Sequence, residues 1–240
     1  MDKFSSISLF DFFSFVIPGV ILEVVLYFIY KLSGCILLFN FPLLHSNEVV
    51  LLLLLTTGGY LLGHFIHFIG NKISWLGTSL FRKKDDGLNF LKSQNMLRNA
   101  LVEKCRESFG FSIADKEGRL LRKETNDLFN ISFRMLEDEN RLQTVRTLQT
   151  QFILFSNLFT VGIISLVLFT GFFILSIIKT VPVQSWGFMI TVLIITVISS
   201  IVSYAIAAQR RKLFIHQAWW QIYTLFYQKQ FMTPPNEPKS

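Results

Sequence analysis

Residues 147–178 read TLQTQFILFSNLFTVGIISLVLFTGFFILSII, and these 32 residues contain no Asp, Glu, Lys or Arg. About 20 apolar residues in a helix cross the hydrocarbon core of a bilayer, so this stretch is long enough to span it. Two more charge-free runs cover 180–209 and 49–71, and a fourth apolar run, Phe12–Tyr30, is interrupted only by Glu23. The pattern predicts an all-α, polytopic membrane protein with four transmembrane helices, at about 12–32, 49–70, 152–178 and 186–208.

The composition supports the same class. Hydrophobic residues make up 51% of the 240 residues, charged residues only 16%, and the mean hydropathy is +0.47. An average soluble domain has roughly 25% charged residues. Disordered, collagenous, coiled-coil and disulfide-stapled chains are excluded by this balance.

The basic residues predict the orientation. Segment 72–146 carries 15 Lys and Arg with 11 Asp and Glu, and five more basic residues follow Gln209. Only Lys31 and Lys179 lie in the loops on the other side of the predicted spans. The positive-inside rule therefore places segment 72–146 and both termini in the cytoplasm. The net charge of +7 then reflects orientation and attraction to anionic lipid headgroups, and no direct nucleic-acid partner is indicated.

The N-terminus does not resemble a cleavable signal, because it carries Asp2 and Asp11 and has no small-residue cleavage site after the first apolar run. The spacing of Phe4, Ile7, Phe10 and Phe13 is typical of an amphipathic segment at the membrane surface. Cys35 and Cys105 are predicted on opposite sides of the membrane, which excludes a disulfide between them.

These observations divide the chain into four segments. Residues 1–71 form an interfacial segment and the first two spans, 72–146 a cytoplasmic helical insertion, 147–209 the last two spans, and 210–240 a cytoplasmic aromatic-rich helix with a disordered, Pro-containing end.

The insertion is predicted to be a helical hairpin. An apolar stripe from Leu88 to Phe109 predicts its first helix, which Gly110 ends. Asp115 is predicted to cap the second helix. Because no Pro or Gly occurs from Arg119 to Val161, that helix is expected to run on into the third span.

The C-terminal segment combines basic and aromatic residues. We interpret it either as an amphipathic helix on the inner leaflet or as a helix packed against the insertion. The residues predicted to contact a partner or the membrane surface are Arg210, Arg211, Lys212, Trp219, Trp220 and Tyr223.

Glu23, His64 and His67 are the candidate functional residues inside the predicted spans. Glu23 is about midway along the first span, where an ionisable group marks either an ion or proton pathway or a hydrogen bond between helices. His64 and His67 lie three residues apart near the inner end of the second span. A spacing of three can present two imidazoles to one metal ion, although two ligands are too few for a metal site. The alternatives are a pH-sensing role and two polar residues that face the helix bundle or the headgroups.

Two pairs of small residues predict close helix packing, within one bundle or between copies: Gly59 with Gly63, and Ser199 with Ser203. No phosphate-binding glycine loop, GxSxG or HExxH motif, or metal-ligand spacing occurs. We therefore predict no catalytic residues, no cofactor and no enzyme activity.

The first span is entered through Phe10-Asp11-Phe12-Phe13 followed by Ile17-Pro18-Gly19, four spans are predicted with both termini inside, and a charged insertion precedes the third span. In these features the layout resembles the small four-span membrane subunits of bacterial anti-phage defence systems, such as the Kiwa type. The resemblance implies a homo-oligomer in the inner membrane that senses infection and works with a soluble effector. It transfers no site residue to this chain.

Three hypotheses follow. The first is a non-enzymatic scaffold or sensor that homo-oligomerises and recruits a soluble cytoplasmic partner through residues 88–146 and the C-terminal helix. The second is a membrane-disrupting pore or channel gated around Glu23. The third is an enzyme acting on lipid, which would need several polar groups at one depth in the membrane. We rank it last because its only candidate residues, Glu23, His64 and His67, differ in depth along the spans.

Overall fold

The computed structural model describes residues 9–32, 48–80, 86–138, 142–178 and 186–232. Within these ranges the fold is all-helical, with one isolated β-bridge between Ala114 and Leu120 and no strand. The helices are α1 (Leu9–Leu32), α2 (Glu48–Leu80), α3 (Asp86–Ser93), α4 (Asn95–Phe109), α5 (Arg122–Asp138), α6 (Gln143–Ile177) and α7 (Trp186–Met232).

Four of the described helices are long and apolar enough to cross a membrane, as predicted. The apolar stretches are Phe12–Tyr30, Glu48–Lys72, Gln143–Ile177 and Trp186–Phe226. The predicted surface segment at Phe4 and Ile7, the loop containing Cys35 and the Pro-containing C-terminal end lie outside the described residues.

The chain divides into two compact units. Unit 1 comprises residues 1–79 and 150–210, and unit 2 comprises residues 80–149 and 211–240. Helices α6 and α7 therefore each contribute to both units, and α7 continues without a break from Trp186 to Met232.

Unit 1 contains α1, most of α2 and the apolar parts of α6 and α7. Helices α1 and α6 run in the same direction, because Ser14 meets Asn157 at one end and Val25 packs with Phe169 towards the other. Helix α7 is antiparallel to α6, because Phe173 pairs with Trp186 and Phe159 pairs with Tyr204. The outer surface of these helices is rich in exposed Leu, Ile, Val and Phe, as a lipid-facing surface requires.

Unit 2 has a hydrophobic core of its own. Among the residues that the structure describes, its fourteen buried members come from α3, α4, α5, the segment after α4, the segment before α6, the start of α6 and the end of α7. The buried residues are Leu91, Leu97, Leu101, Cys105, Ile113, Leu128, Leu136, Leu142, Val145, Ala218, Trp219, Ile222, Leu225 and Phe226.

The predicted helix over 88–109 is two helices, which meet at Gln94. Its predicted end is confirmed: Gly110 has φ of 70°, and its N–H donates to the Arg106 carbonyl in a left-handed helix cap. The predicted helix cap at Asp115 is wrong. Its side-chain Oδ1 accepts the backbone N–H groups of Glu117 and Arg119 at 3.0 and 2.7 Å, so it closes a turn before α5 begins at Arg122.

The expectation that α5 runs on into the third span is also wrong. Helix α5 ends at Asp138, and α6 begins at Gln143. Leu142 and Val145 are both buried in the core of unit 2. Their burial is a tertiary contact that the absence of Pro and Gly in the sequence does not encode.

Candidate functional site

Helices α1 and α2 approach each other closely through glycines. A Cβ added at Gly19 would overlap the carbonyl oxygen of Gly59, and one added at Gly63 would overlap the backbone of Phe15. The predicted pair Gly59 and Gly63 therefore lies in a contact within one copy of the chain. Hydrogen as the side chain is what lets two membrane helices come this near.

Glu23 of α1 lies against Gly58 of α2. A Cβ at Gly58 would overlap the Oε1 atom of Glu23, so the carboxyl group occupies the space that the glycine leaves. The other carboxyl oxygen, Oε2, is buried and has no hydrogen-bond partner among the described residues. A buried polar atom without a partner is costly, which makes Glu23 a candidate for function rather than packing.

His67 belongs to a polar network that is centred on Asn157 and joins three helices. Its Nδ1 lies 3.1 Å from Oδ1 of Asn157 in α6, and Nδ2 of Asn157 donates to the Ser14 carbonyl of α1 at 3.1 Å. Because the amide nitrogen of Asn157 is engaged by Ser14, its oxygen faces His67, and Nδ1–H of His67 is the donor.

His64 faces outward and lies in an aromatic cluster. Its ring stacks on Phe15 with centroids 4.2 Å apart and meets Tyr60 edge-on at 4.6 Å. His64 is exposed, whereas His67 is half-buried. The two imidazoles therefore have different surroundings despite their spacing of three residues.

The second predicted small-residue pair is only partly at a helix contact. Ser199 is exposed and Ser203 is half-buried, whereas Ser200 between them is buried. A Cβ at Gly162 of α6 would overlap Oγ of Ser200, so Gly162 and Ser200 form the close contact between α6 and α7. Sequence spacing indicated the correct helix but not the correct face.

The residues of α7 that were predicted to lie at the surface differ in how deeply they are buried. Trp219 is 2% exposed and its ring meets Phe129 at 5.2 Å, so it belongs to the core of unit 2. Trp220 is 38% exposed, and its Nε1 donates to Nε2 of His216 at 3.3 Å, while Tyr223 packs edge-on against it. Of the basic residues, Lys212 is exposed, and Arg210 and Arg211 are half-buried.

A groove of about 520 Å³ lies on the surface of unit 2. Three phenylalanines line it: Phe129 stacks with Phe133 at 5.8 Å, and Phe133 meets Phe214 at 6.2 Å. The polar residues that line it are Asn130, Arg134, Glu137 and Gln149, and Glu137 forms an ion pair with Arg146. The groove thus offers aromatic faces beside amide groups and the exposed guanidinium of Arg134.

Two ionisable groups of unit 2 are shifted by their surroundings. Burial raises the pKa of the Cys105 thiol to about 11, so this cysteine stays protonated and unreactive at neutral pH. The backbone N–H of Arg119, then its guanidinium and the N–H of Glu117, hold the pKa of Asp115 below its usual value. Both groups have structural surroundings rather than catalytic ones.

Among the residues that the structure describes, no three His, Cys, Asp or Glu side chains come together as metal ligands. Comparison with protein families, curated proteins and solved structures finds no match to this chain. What the protein does has to be inferred from its own residues and their geometry.

Sequence reasoning missed Ser14, Asn157, Gly162 and the groove. The sequence did contain a signal for Asn157. It is the only Asn in the charge-free run 147–178 and lies inside the predicted third span. A lone amide in such a segment indicates a hydrogen bond between helices. The groove had no signal, because its lining comes from three separate helices.

Proposed function

We propose that this protein is a non-enzymatic scaffold or sensor of the bacterial inner membrane, with both termini in the cytoplasm. Copies of it assemble in the bilayer through unit 1, and unit 2 recruits a soluble cytoplasmic protein. The layout resemblance and the separation of basic residues support this proposal, with anti-phage defence as the process.

The observation that carries the proposal is that unit 2 has its own core. Trp219, Leu101 and Leu128 are almost completely buried in it. A module that only linked two spans would not need such a core, to which five helices and two connecting segments contribute fourteen buried residues among those that the structure describes. An independently packed unit attached to membrane helices supplies the rigid surface on which a soluble partner binds.

The groove of unit 2 is the surface we assign to this partner. Aromatic side chains and Arg are enriched in the centres of protein interfaces, and the groove combines Phe133 and Phe214 with Arg134. Because Arg134 contributes an exposed positive charge at the groove, the matching partner surface carries an apolar residue beside an acidic one.

The experiment is to measure the mass of the nanodisc-embedded particle, with and without the co-expressed product of the neighbouring gene. We expect a homo-oligomer that retains the soluble product. Arg134→Glu is expected to release that product without changing the oligomer, because it reverses the charge beside the groove. Lys123→Glu is the matched control: it makes the same change on an exposed residue of α5, about 16 Å away along the helix.

A strict monomer that binds no soluble protein contradicts the proposal. Equal loss of the partner in both variants contradicts the assignment of the groove but leaves recruitment intact.

The second candidate is a pore or channel gated around Glu23. The observation that favours it is the buried Oε2 atom of Glu23, inside an apolar helix, for which the described part of the chain supplies no hydrogen-bond partner. In a conducting assembly this carboxyl group lies on the pathway, so Glu23→Gln changes ion conductance across a planar bilayer. Glu48→Gln, at the exposed start of α2, is the control. Conductance that is absent, or the same in both variants and the wild type, counts against this candidate.

A further inference from the structure

One face of α2 carries polar residues at a regular interval. Thr57, His64 and Asn71 are seven residues apart, and all three are exposed. Leu61 and Phe68 lie between them and are 66% and 61% exposed. Seven residues make almost two helical turns, so these five residues form one continuous line along the helix, which we call the α2 stripe.

The opposite face of α2 is the one that packs inside unit 1. Gly59, Gly63, Ile66 and Gly70 are buried there, against α1 and α6. The α2 stripe therefore faces away from the packed interior of its own unit. It extends from Thr57 to Asn71, about 21 Å along the helix axis, which is most of the thickness of a hydrocarbon core.

Contact with lipid is unfavourable for the polar residues of the α2 stripe. An imidazole and an amide placed against acyl chains lack hydrogen-bond partners, and a hydroxyl there can bond only to its own helix. Polar side chains in membrane helices are found facing other helices. A seven-residue repeat of polar residues with Leu and Phe between them is the spacing of two helices packed side by side, in which single polar positions fix the register. The stripe thus fits a partner helix better than lipid.

The partner that fits is a second copy of α2. Copies inserted in the same orientation are related by an axis along the membrane normal, which brings each residue to the depth of its own counterpart. Thr57, His64 and Asn71 each carry both a donor and an acceptor, with His64 neutral, so each can hydrogen-bond to the same residue of another copy. The stripe is therefore complementary to itself.

We propose that this protein self-associates through the α2 stripe, with α2 of one copy packed against α2 of another. The inference rests on the homo-oligomer of the proposed function and names the surface that holds it together. The glycines Gly59 and Gly63 are already used within the copy and do not form this contact.

The test is cysteine cross-linking in native membranes, in a Cys35→Ser background that retains the buried Cys105. Leu61→Cys and His64→Cys are expected to give a disulfide-linked dimer on mild oxidation, because each thiol faces its own counterpart. Ile198→Cys, on the exposed surface of α7, is the matched control and is expected to stay monomeric on the gel.

A second variant makes the result independent of the cysteine chemistry. Thr57→Leu, His64→Leu and Asn71→Leu together keep the face compatible with lipid but remove its polar groups, so the nanodisc particle is expected to fall to a smaller mass. The inference is overturned, and the proposed function stands, if two results are found together. The triple variant still forms the oligomer, and the cysteine variant Ile198→Cys cross-links whereas Leu61→Cys does not. If the wild-type particle is a monomer, both are overturned.

Discussion

His67 of α2 donates to Asn157 of α6 across 3.1 Å, and the same Asn157 donates to the Ser14 carbonyl of α1. One amide thus connects three helices of unit 1. Asn157 is 1% exposed, so its hydrogen bonds are shielded from water. Such bonds hold helices together where the hydrophobic effect cannot, because lipid tails are as apolar as the side chains.

We therefore predict that His67 and Asn157 are energetically coupled. In a double-mutant cycle with His67→Ala and Asn157→Leu, the coupling free energy is expected at about 0.6 kcal/mol and below about 1.7 kcal/mol, the average and the maximum for hydrogen bonds between membrane helices. The measurement is unfolding of the detergent-solubilised protein by denaturant, followed by circular dichroism.

The control cycle pairs Asn157→Leu with His64→Ala, since the structure places the His64 ring on Phe15 and Tyr60. Equal coupling in both cycles contradicts the prediction.

Because α1 and α2 are in close contact, one methyl group added between them is expected to lower the stability of the protein strongly. Gly63→Ala places a Cβ on the backbone of Phe15, which cannot move without separating the helices. We expect a loss of stability of about 1–3 kcal/mol or more, as for other overpacked interiors. Thermal unfolding in detergent measures it.

Gly171→Ala is the matched control for Gly63→Ala. Gly171 also lies in an apolar helix, but nothing lies within 4 Å of a Cβ placed there. Because Ala is the better helix former, this variant is expected to be neutral or more stable by up to about 1 kcal/mol. Equal destabilisation by both substitutions would contradict the assignment of the Gly63→Ala effect to the contact with Phe15.

Much of the fold could be predicted from sequence because it follows from local rules. The absence of charged residues from 147–178 predicts a long apolar helix. The apolar stripe that includes Leu97 and Leu101 predicts the buried face of α4. Gly110 ends that helix because the left-handed conformation suits a residue without Cβ. Each of these signals lies within a few residues of the feature it predicts.

The features that could not be predicted depend on distant partners. Ile131 of α5 is apolar and yet 41% exposed, whereas the polar Ser132 beside it is buried, because the rest of unit 2 determines which face packs. Glu23 and His67 were recognisable as polar residues in apolar helices. Their partners, Gly58 and Asn157, were not, because nothing in one helix specifies which residue of another will meet it.

Because Cys105 is buried, we predict that its thiol reacts slowly with maleimide. With its pKa raised to about 11, the thiolate that reacts with maleimide is about 100-fold scarcer at pH 8 than for a thiol at the ordinary value of 9.0, and burial blocks access as well. In a Cys35→Ser background, we expect no labelling of the folded protein and full labelling in denaturant. The measurement is the mass shift on reaction.

Ser108→Cys is the control for this labelling, because it puts a thiol on the exposed face of the same helix α4. It is expected to react within minutes in the folded protein. Rapid labelling of Cys105 before denaturation would contradict its burial in unit 2.

The turn at Asp115 predicts a contribution to stability that depends on pH. Its pKa is lower in the folded protein than in the unfolded chain, because N–H groups of Arg119 and Glu117 and the Arg119 guanidinium favour the carboxylate. Folding is therefore favoured by this group above its unfolded pKa, which is about 3.9, and that stabilisation is lost as the pH falls through the lower, folded value. Asp115→Asn should destabilise the protein at pH 7.

The same difference in stability should shrink when unfolding is measured at pH values below about 4, since the wild-type carboxylate is then being protonated. Asp127→Asn, an exposed position on α5, reports the general effect of removing one carboxylate over the same pH range. Because Asn keeps the Oδ1 acceptor that receives the two backbone N–H groups, a loss at pH 7 isolates the charge of Asp115 from its hydrogen-bond geometry. A wild-type advantage over Asp115→Asn that stays constant from pH 7 to pH 3 would mean that the charge is not what stabilises the turn.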